Sequence, residues 1–364
     1  MSAASPARTA GAPVRAEAVL AGYRRLVARR VLIVAVLALL CVCAFVLDLV
    51  TGPSSLTPGQ VLGGLLGLHG EGGALSAPQL AIIWQVRLPY ALMAVLVGAA
   101  LALAGAEMQT ILNNPLASPF TLGVSSAASF GAALAIVLGL SLPFVSAEWM
   151  VPLNAFVFAF GSVLLLQAMA RRRSGGVETV VLLGIALVFA FNALVALVQF
   201  LSSQEALQQL VFWSMGSLSR ATWQHVAVLA VVLGVVTPLS LVSAGQMTSL
   251  RLGEDRARSF GVDVGRLRFF ALVRVSLLAA TSVAFAGTIG FIGLVGPHMA
   301  RMLLGEDHRF LLPASLLCGS LIMSLASAAS KTLVPGALMP VGIVTAIVGV
   351  PVFLFLIFRQ QGRA

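Results

Sequence analysis

The chain is cut into apolar runs about as long as a bilayer is thick, and its charged residues are gathered between them. Residues 31–50, 88–108, 177–201, 269–288 and 310–330 are examples. About 20 consecutive apolar residues cross the hydrocarbon core. There, every backbone polar group must find a partner inside the protein, which leaves helices or closed barrels. Runs this long and unbroken, without strand-like alternation, predict helices. Only 9% of the residues are charged and 59% are hydrophobic, whereas a soluble domain carries about 25% charged residues. The fold class is therefore an all-α polytopic membrane protein, and a soluble fold with one anchor is excluded.

Dividing the chain at that length gives about ten spans: the five above together with 122–140, 150–170, 226–244, 289–304 and 341–358. Residues 1–22, rich in Ala, Pro, Ser and Arg, are expected to be disordered, and residues 23–364 to form a single transmembrane domain. Shorter helices are expected over 57–68 and 204–217, outside the bilayer. Basic residues concentrate at Arg24, Arg25, Arg29 and Arg30, at Arg171, Arg172 and Arg173, and in the segment 247–268. Cytoplasmic loops carry the excess of Lys and Arg, so both termini are expected in the cytoplasm. All but three of the 22 basic residues then fall on that side; Arg87, Arg220 and Lys331 remain outside. Topology thus explains most of the net charge of +10, and no nucleic-acid partner is implied. Cys41, Cys43 and Cys318 sit in apolar runs and read as small buried hydrophobes; no Cys/His spacing suggests a metal site.

Four further features bear on function. Gly287, Gly290, Gly293 and Gly296 recur at every third position before Pro297, a ridge on which two membrane segments could fold closely against each other. The segment 247–268 alternates charge with Leu250, Leu252, Ala257, Phe260 and Val262. It reads as one or two short amphipathic helices turning at Gly261, suited to a cytoplasmic partner. Glu107 lies within the second span, where a charge costs roughly 2.5–3.5 kcal/mol on insertion scales; Arg274, at similar depth, is the candidate partner. Gly123-Val124-Ser125 is a small-residue helix contact rather than a serine nucleophile, since no histidine is placed to activate it. The chain has no G-x-x-x-x-G-K-[ST] phosphate loop.

Five blocks carry a resemblance that extends from about residue 30 to 360. They are Val86-Arg87-Leu88-Pro89; Asn114-Pro115-Leu116-Ala117; the loop from Leu252 to Gly265; Gly290 to His298 with Arg301; and Pro340 to Ala346 with Gly349 to Phe353. In this order they resemble the permease subunit of ABC importers for iron-siderophores, haem and cobalamin. The resemblance implies a ten-helix subunit of the type II importer architecture. It would pair with a second copy or a paralogue around a central path in the cell inner membrane, and would not itself be an enzyme. Two ATPase subunits, which use ATP and Mg²⁺, would dock through Leu252, Gly253, Glu254, Ala257, Phe260 and Gly261; this chain needs no cofactor. Asn114 and Leu116, with Val177 and Glu178, match the cytoplasmic constriction. Arg87 and Lys331 match external positions that meet acidic residues of a periplasmic or lipid-anchored binding protein, and as rim charges they could form a basic ring around the mouth of a dimer. Tyr90 stands where a second arginine is common, Leu338 replaces an acidic residue, and Ser118 and Phe120 also depart from the pattern. The implied cargo is an iron chelate, with haem, cobalamin or an oxyanion as alternatives. An ion-coupled secondary transporter, resting on Glu107 alone, is the reading from another class.

The missing phosphate loop makes one outcome testable at once. The purified chain alone should neither bind nor hydrolyse ATP; vanadate-sensitive hydrolysis by the pure chain would overturn this.

Overall fold

The computed structural model describes residues 16–54, 56–67, 75–140, 145–172, 177–334 and 336–361, and their regular structure is entirely helical. The order is α1 (Ala16–Val50), α2 (Pro58–Leu66), α3 (Ala77–Ala81), a π-helical stretch (Ile82–Arg87), α4 (Leu88–Ile111), a 3₁₀ turn (Pro119–Leu122), α5 (Val124–Leu138) and α6 (Ala147–Arg172). It continues with α7 (Val177–Phe200), α8 (Gln204–Ser214), α9 (Trp223–Val242), α10 (Ala244–Leu250), α11 (Glu254–Ser259), α12 (Val264–Ala286), α13 (Ile292–Leu304), α14 (His308–Thr332) and α15 (Val341–Gln361). Among the described residues, seven helices are long and apolar enough to cross a membrane, and three shorter apolar helices, Val124–Leu138, Ile292–Leu304 and Val341–Leu354, accompany them. The two sets together match the expected number of about ten.

Two boundaries differ from expectation. α1 begins at Ala16, inside the stretch expected to be disordered, because AEAVLAG is rich in strong helix formers; residues 1–15 lie outside the described residues. The second span begins earlier as well. Residues 77–87, read as part of an external segment, run helically into α4. Pro89 cannot donate to a carbonyl one turn back, but the turn before it is widened, with the Leu88 N–H bonded to the carbonyl of Ile83. A π turn of this kind lets the helix pass the proline.

α4 and α12 form the centre: 78% of each apolar span is buried, against 11% for α7. The glycine ridge packs differently from the expected pair of adjacent segments. α12 packs on α4, α6 and α9, whereas α13 packs on α4 and α14, so the two halves of the ridge share α4 instead of folding on each other. A Cβ on Gly105 would overlap the carbonyl of Gly293, and Gly98 and Gly319 meet in the same way. Gly296 seats the Ala102 methyl group, whereas a Cβ on Gly290 would meet nothing within 4 Å. Gly287 ends α12 beneath the Trp213 carbonyl. Phe291 adopts a left-handed backbone at φ 68°, its ring held against Gly349 and 6.4 Å from that of Phe353.

These contacts distinguish one glycine from another. Gly105→Val should destabilise the fold by about 1–3 kcal/mol or more, since overpacking here meets backbone. Gly161→Ala, where nothing lies within 4 Å, should be neutral or slightly stabilising. Thermal unfolding of the detergent-purified variants, followed by size exclusion, checks both.

Candidate functional site

One end of the bundle gathers most of the described charges. Here α9 gives way at Ser243 to α10, and Gly253 (φ 106°) and Gly261 (φ 82°) turn the chain on either side of α11. Side chains rarely adopt such backbone angles, and glycine does so at no steric cost. Asp263 then caps α12, accepting from the Arg266 N–H at 2.9 Å. The segment 247–268 is thus two short helices, with turns at both glycines and not at Gly261 alone. Leu252 is 53% and Phe260 66% exposed. Ala257 is fully buried and anchors α11 to the core, so it supports the surface without being part of it. Glu254 pairs with Arg258 at 3.0 Å and closely with Arg268.

From α10 and α11 a polar network reaches the turn that follows α4. Arg251 donates to Asn113 Oδ1 at 2.8 Å and to Glu306 Oε1 at 3.0 Å. Arg268 donates to the Ile111 carbonyl at 3.1 Å. Glu306 also pairs with Arg301, which donates to Gln109 Oε1 at 3.0 Å. His308, fully buried, lies 2.7 Å from Thr110 Oγ1 and 3.2 Å from Thr248 Oγ1. The Thr110 hydroxyl donates to the Ala106 carbonyl and the Thr248 hydroxyl to the Ala244 carbonyl, so each presents its oxygen to the ring nitrogen facing it. α4, α10 and α14 are thereby tied through one buried ring. Asp307, which caps α14, is held below the usual carboxylate range, first by hydrogen bonds from Arg309 and further by Arg30. Arg30 pairs with it at 3.0 Å and brings α1 to the same end.

The turn itself holds two of the sequence-predicted gate residues. Asn113 has φ 45°, and Asn114 Oδ1 accepts the Leu116 N–H at 2.9 Å, an Asx turn that fixes the backbone. Asn114 is exposed, as is Leu116 at 39%. Val177 and Glu178 begin α7 at the same end of the bundle; Val177 packs on the core and Glu178 is exposed. Among the described residues, no hydrogen bond or ion pair joins either of them to the turn.

Two ion pairs lie in the interior. Glu107 is fully buried, and Arg274 donates to both its oxygens through Nε at 3.0 and 3.1 Å. The expected partner is therefore in place, and Glu107 faces protein on every side. Sequence reasoning missed the second pair. Lys331 Nζ contacts Asp48 Oδ1 at 2.7 Å and the Asp48 carbonyl at 2.8 Å, and lies 4.3 Å from the Tyr90 ring centre. Ser327 donates to the same carboxylate at 2.6 Å. Arg87 donates to the Val50 carbonyl at 2.9 Å and to Ser54 Oγ at 2.6 Å. This corrects the picture of Arg87 and Lys331 as exposed rim charges: they are 5% and 9% exposed, and their bonds tie α4 and α14 to the end of α1. Docking through either side chain would first have to break these bonds. Asp48 was visible as a lone acid in the first apolar run, which is the signal that could have found the pair.

A bundle of apolar helices with a hydrogen-bonded polar turn at one end fits one class, a multi-pass membrane permease. Residues 39–359 match the model of the FecCD transport family. The hemin transport system permease protein HmuU of Yersinia pestis is 39% identical over 280 residues, covering 77% of this chain and 84% of that protein. The vitamin B12 import system permease protein BtuC of Vibrio cholerae is 36% identical over 288 residues, 79% of this chain and 86% of the relative. The molybdate import system permease protein MolB of Haemophilus influenzae is 34% identical over 327 residues, 89% and 95% of the two chains. A solved metal-chelate type ABC transporter in an inward-facing conformation superposes with a TM-score of 0.78 at 33% identity, covering 90% of this chain and 99% of its own. The chain belongs to the FecCD transport family and is an ABC importer permease. Permeases of this kind work with a separate ATPase and a substrate-binding protein.

The Glu107–Arg274 pair yields a double-mutant test. Glu107→Leu alone leaves a buried, unpaired guanidinium and should cost about 3–5 kcal/mol. Glu107→Leu with Arg274→Met removes both charges and should recover most of that loss. Thermal shift of the four proteins in detergent measures the cycle.

Proposed function

We propose that this chain forms, with a second copy of itself, the path by which an iron chelate of the siderophore type crosses the cell inner membrane. The chelate is delivered by a substrate-binding protein, and two copies of a separate ATPase drive the cycle. The observation that carries the coupling is the exposed pair Leu252 and Phe260 on the segment whose Arg251 and Arg268 hold the turn of Asn114 and Leu116. Large apolar side chains on a charged, lipid-free end suit a protein partner. Movement of α11 reaches the gate turn through two arginines, with no intervening flexible chain. Gly253, Glu254 and Gly261 set the shape of that surface, and Asn114, Leu116, Val177 and Glu178 form the constriction. The bias of basic residues to this end favours a cytoplasmic position for it and for both termini.

An iron chelate is favoured by the likeness to a metal-chelate type transporter along nearly the whole chain. The relatives named for hemin, vitamin B12 and molybdate set the competing cargoes. The deciding experiment reconstitutes the permease with its ATPase and binding protein in lipid discs. ATPase stimulation is then compared for ferric siderophore, hemin, cobalamin and molybdate. Stimulation by hemin, cobalamin or molybdate, with none by ferric siderophores, would overturn the cargo.

The docking surface is tested separately. Leu252→Asp with Phe260→Asp should leave membrane insertion intact, because neither residue meets lipid. Two carboxylates buried without partners in an interface are strongly unfavourable, so co-purification with the ATPase should fall at least tenfold and transport should stop. Normal co-purification would show that the ATPase docks elsewhere.

A further inference from the structure

At the end of the bundle opposite α11, α8 roofs a cavity of about 870 Å³ between α5, α6, α9 and α12. Its wall carries Glu148, Glu205, Gln208 and Arg220 beside Trp213 and Phe285. Arg220 belongs to the loop before α9, and among the described residues its guanidinium makes no ion pair or side-chain hydrogen bond. Burial alone pushes it below its ordinary value, and no carboxylate offsets the shift. The cavity therefore presents one cation and two acids from three different elements.

Beneath the cavity lies a second, almost wholly apolar slot of about 180 Å³. The two share Pro152, Ala284 and Phe285 as walls. α6 and α9 both pack on α12 and meet each other near their ends through Trp149 and His225, whose rings are 5.2 Å apart. Below this contact the slot passes Phe156, Val228, Val232 and Leu277. From Glu148 to Phe156, and from Phe285 to Leu277, the depth is about 12 Å at 1.5 Å per residue. A chamber carrying charged groups and an apolar slot thus lie on either side of the Trp149, His225 and Phe285 rings, the slot running on along α6 and α12. Aromatic rings with a polar edge favour a membrane interface.

We propose that chamber and slot form one phospholipid site, selective for a phosphoethanolamine head group. The phosphate would lie against Arg220, the ammonium toward Glu148 and Glu205, and one acyl chain in the slot between α6 and α9. A guanidinium pairs well with phosphate oxygens, and a primary ammonium offers three donors to carboxylate and amide oxygens. A trimethylated choline head group offers none, and a glycerol head group brings no positive charge to the acids. A purely apolar occupant would make no use of Arg220, Glu148 or Glu205.

The test is native mass spectrometry of the full chain from micelles doped with phosphatidylethanolamine, phosphatidylcholine or phosphatidylglycerol. Wild type should retain phosphatidylethanolamine at least tenfold over the other two. Arg220→Ala should abolish that preference, and Arg220→Lys should keep part of it. Val228→Trp, at a 38% exposed position, should block the slot and cut lipid retention without unfolding the chain. Glu148→Gln with Glu205→Gln should erase discrimination between ethanolamine and glycerol head groups. Inorganic phosphate and glycerophosphoethanolamine serve as soluble competitors. Competition by either as strong as that of intact lipid, or insensitivity to Val228→Trp, would make this a soluble-anion site and overturn the proposal. Equal retention of all three lipids by wild type and Arg220→Ala would overturn it as well.

Discussion

The close backbone approach of α4 to α13 and α14 is the contact on which the remaining packing rests. In lipid, helices gain nothing from hiding apolar surface, and association depends on van der Waals fit and on scarce polar bonds. Glycine supplies the fit where Gly105 meets Gly293 and Gly98 meets Gly319. Because α4 is held so tightly, its other faces are free to carry α12 and α9. The chain can thereby bury the middle of one helix on nearly all sides and leave α7 largely exposed. Small residues thus determine which helix is central, and apolar length determines only which segments cross.

Polar bonds fix what packing leaves loose, and they are placed where apolar contact cannot discriminate between registers. The Glu107–Arg274 pair sets the depth of α12 against α4. Lys331, Asp48 and Ser327 set that of α14 against α1. Replacement of such a pair by apolar side chains need not cost stability, so its value lies in position: a slip of one turn would strand two charges in hydrocarbon. Tyr90 takes part through its ring face beneath the Lys331 ammonium. That gives a physical use to a residue that, as sequence, registers only as a departure from the family pattern.

The spans were legible because hydropathy and length report directly on the bilayer: α7 covers the expected residues to within one, and α15 starts where the sequence puts it. Two unusual surface side chains were legible too: Leu252 and Phe260 are apolar residues among charges, and they are exposed. What could not be read was pairing at a distance. Lys331 and Asp48 stand 283 residues apart, and nothing local marks either as the other's partner. A rule about which side of the membrane bears the charges says nothing about burial, which is why Arg87 and Lys331 were expected on an open rim. The glycine ridge failed differently. Its spacing is genuine, but spacing along one helix does not say which neighbour it meets, and the neighbour is α4. His308 was hidden because its role depends on Thr110 and Thr248, from two other helices.

The same contrast between rigid and loose parts bears on which elements are fixed to one another. Helices in backbone contact cannot slide by fractions of a residue, because close-packed interfaces are bistable rather than continuously deformable. α4, α13 and α14 must therefore move as one body, and Arg251, His308 and Arg301 bind the α10 end to that body. α7 is different: it leans on α5, α6 and the 3₁₀ turn after the gate residues, and most of its surface is free of the chain's own packing. Arg251 and Arg268 tie the segment around α11 to the end of α4. That end and the first turn of α7 are thus anchored to different parts of the bundle. Asn114 and Leu116 follow the one and Val177 and Glu178 open the other, and among the described residues no hydrogen bond or ion pair joins the two sets.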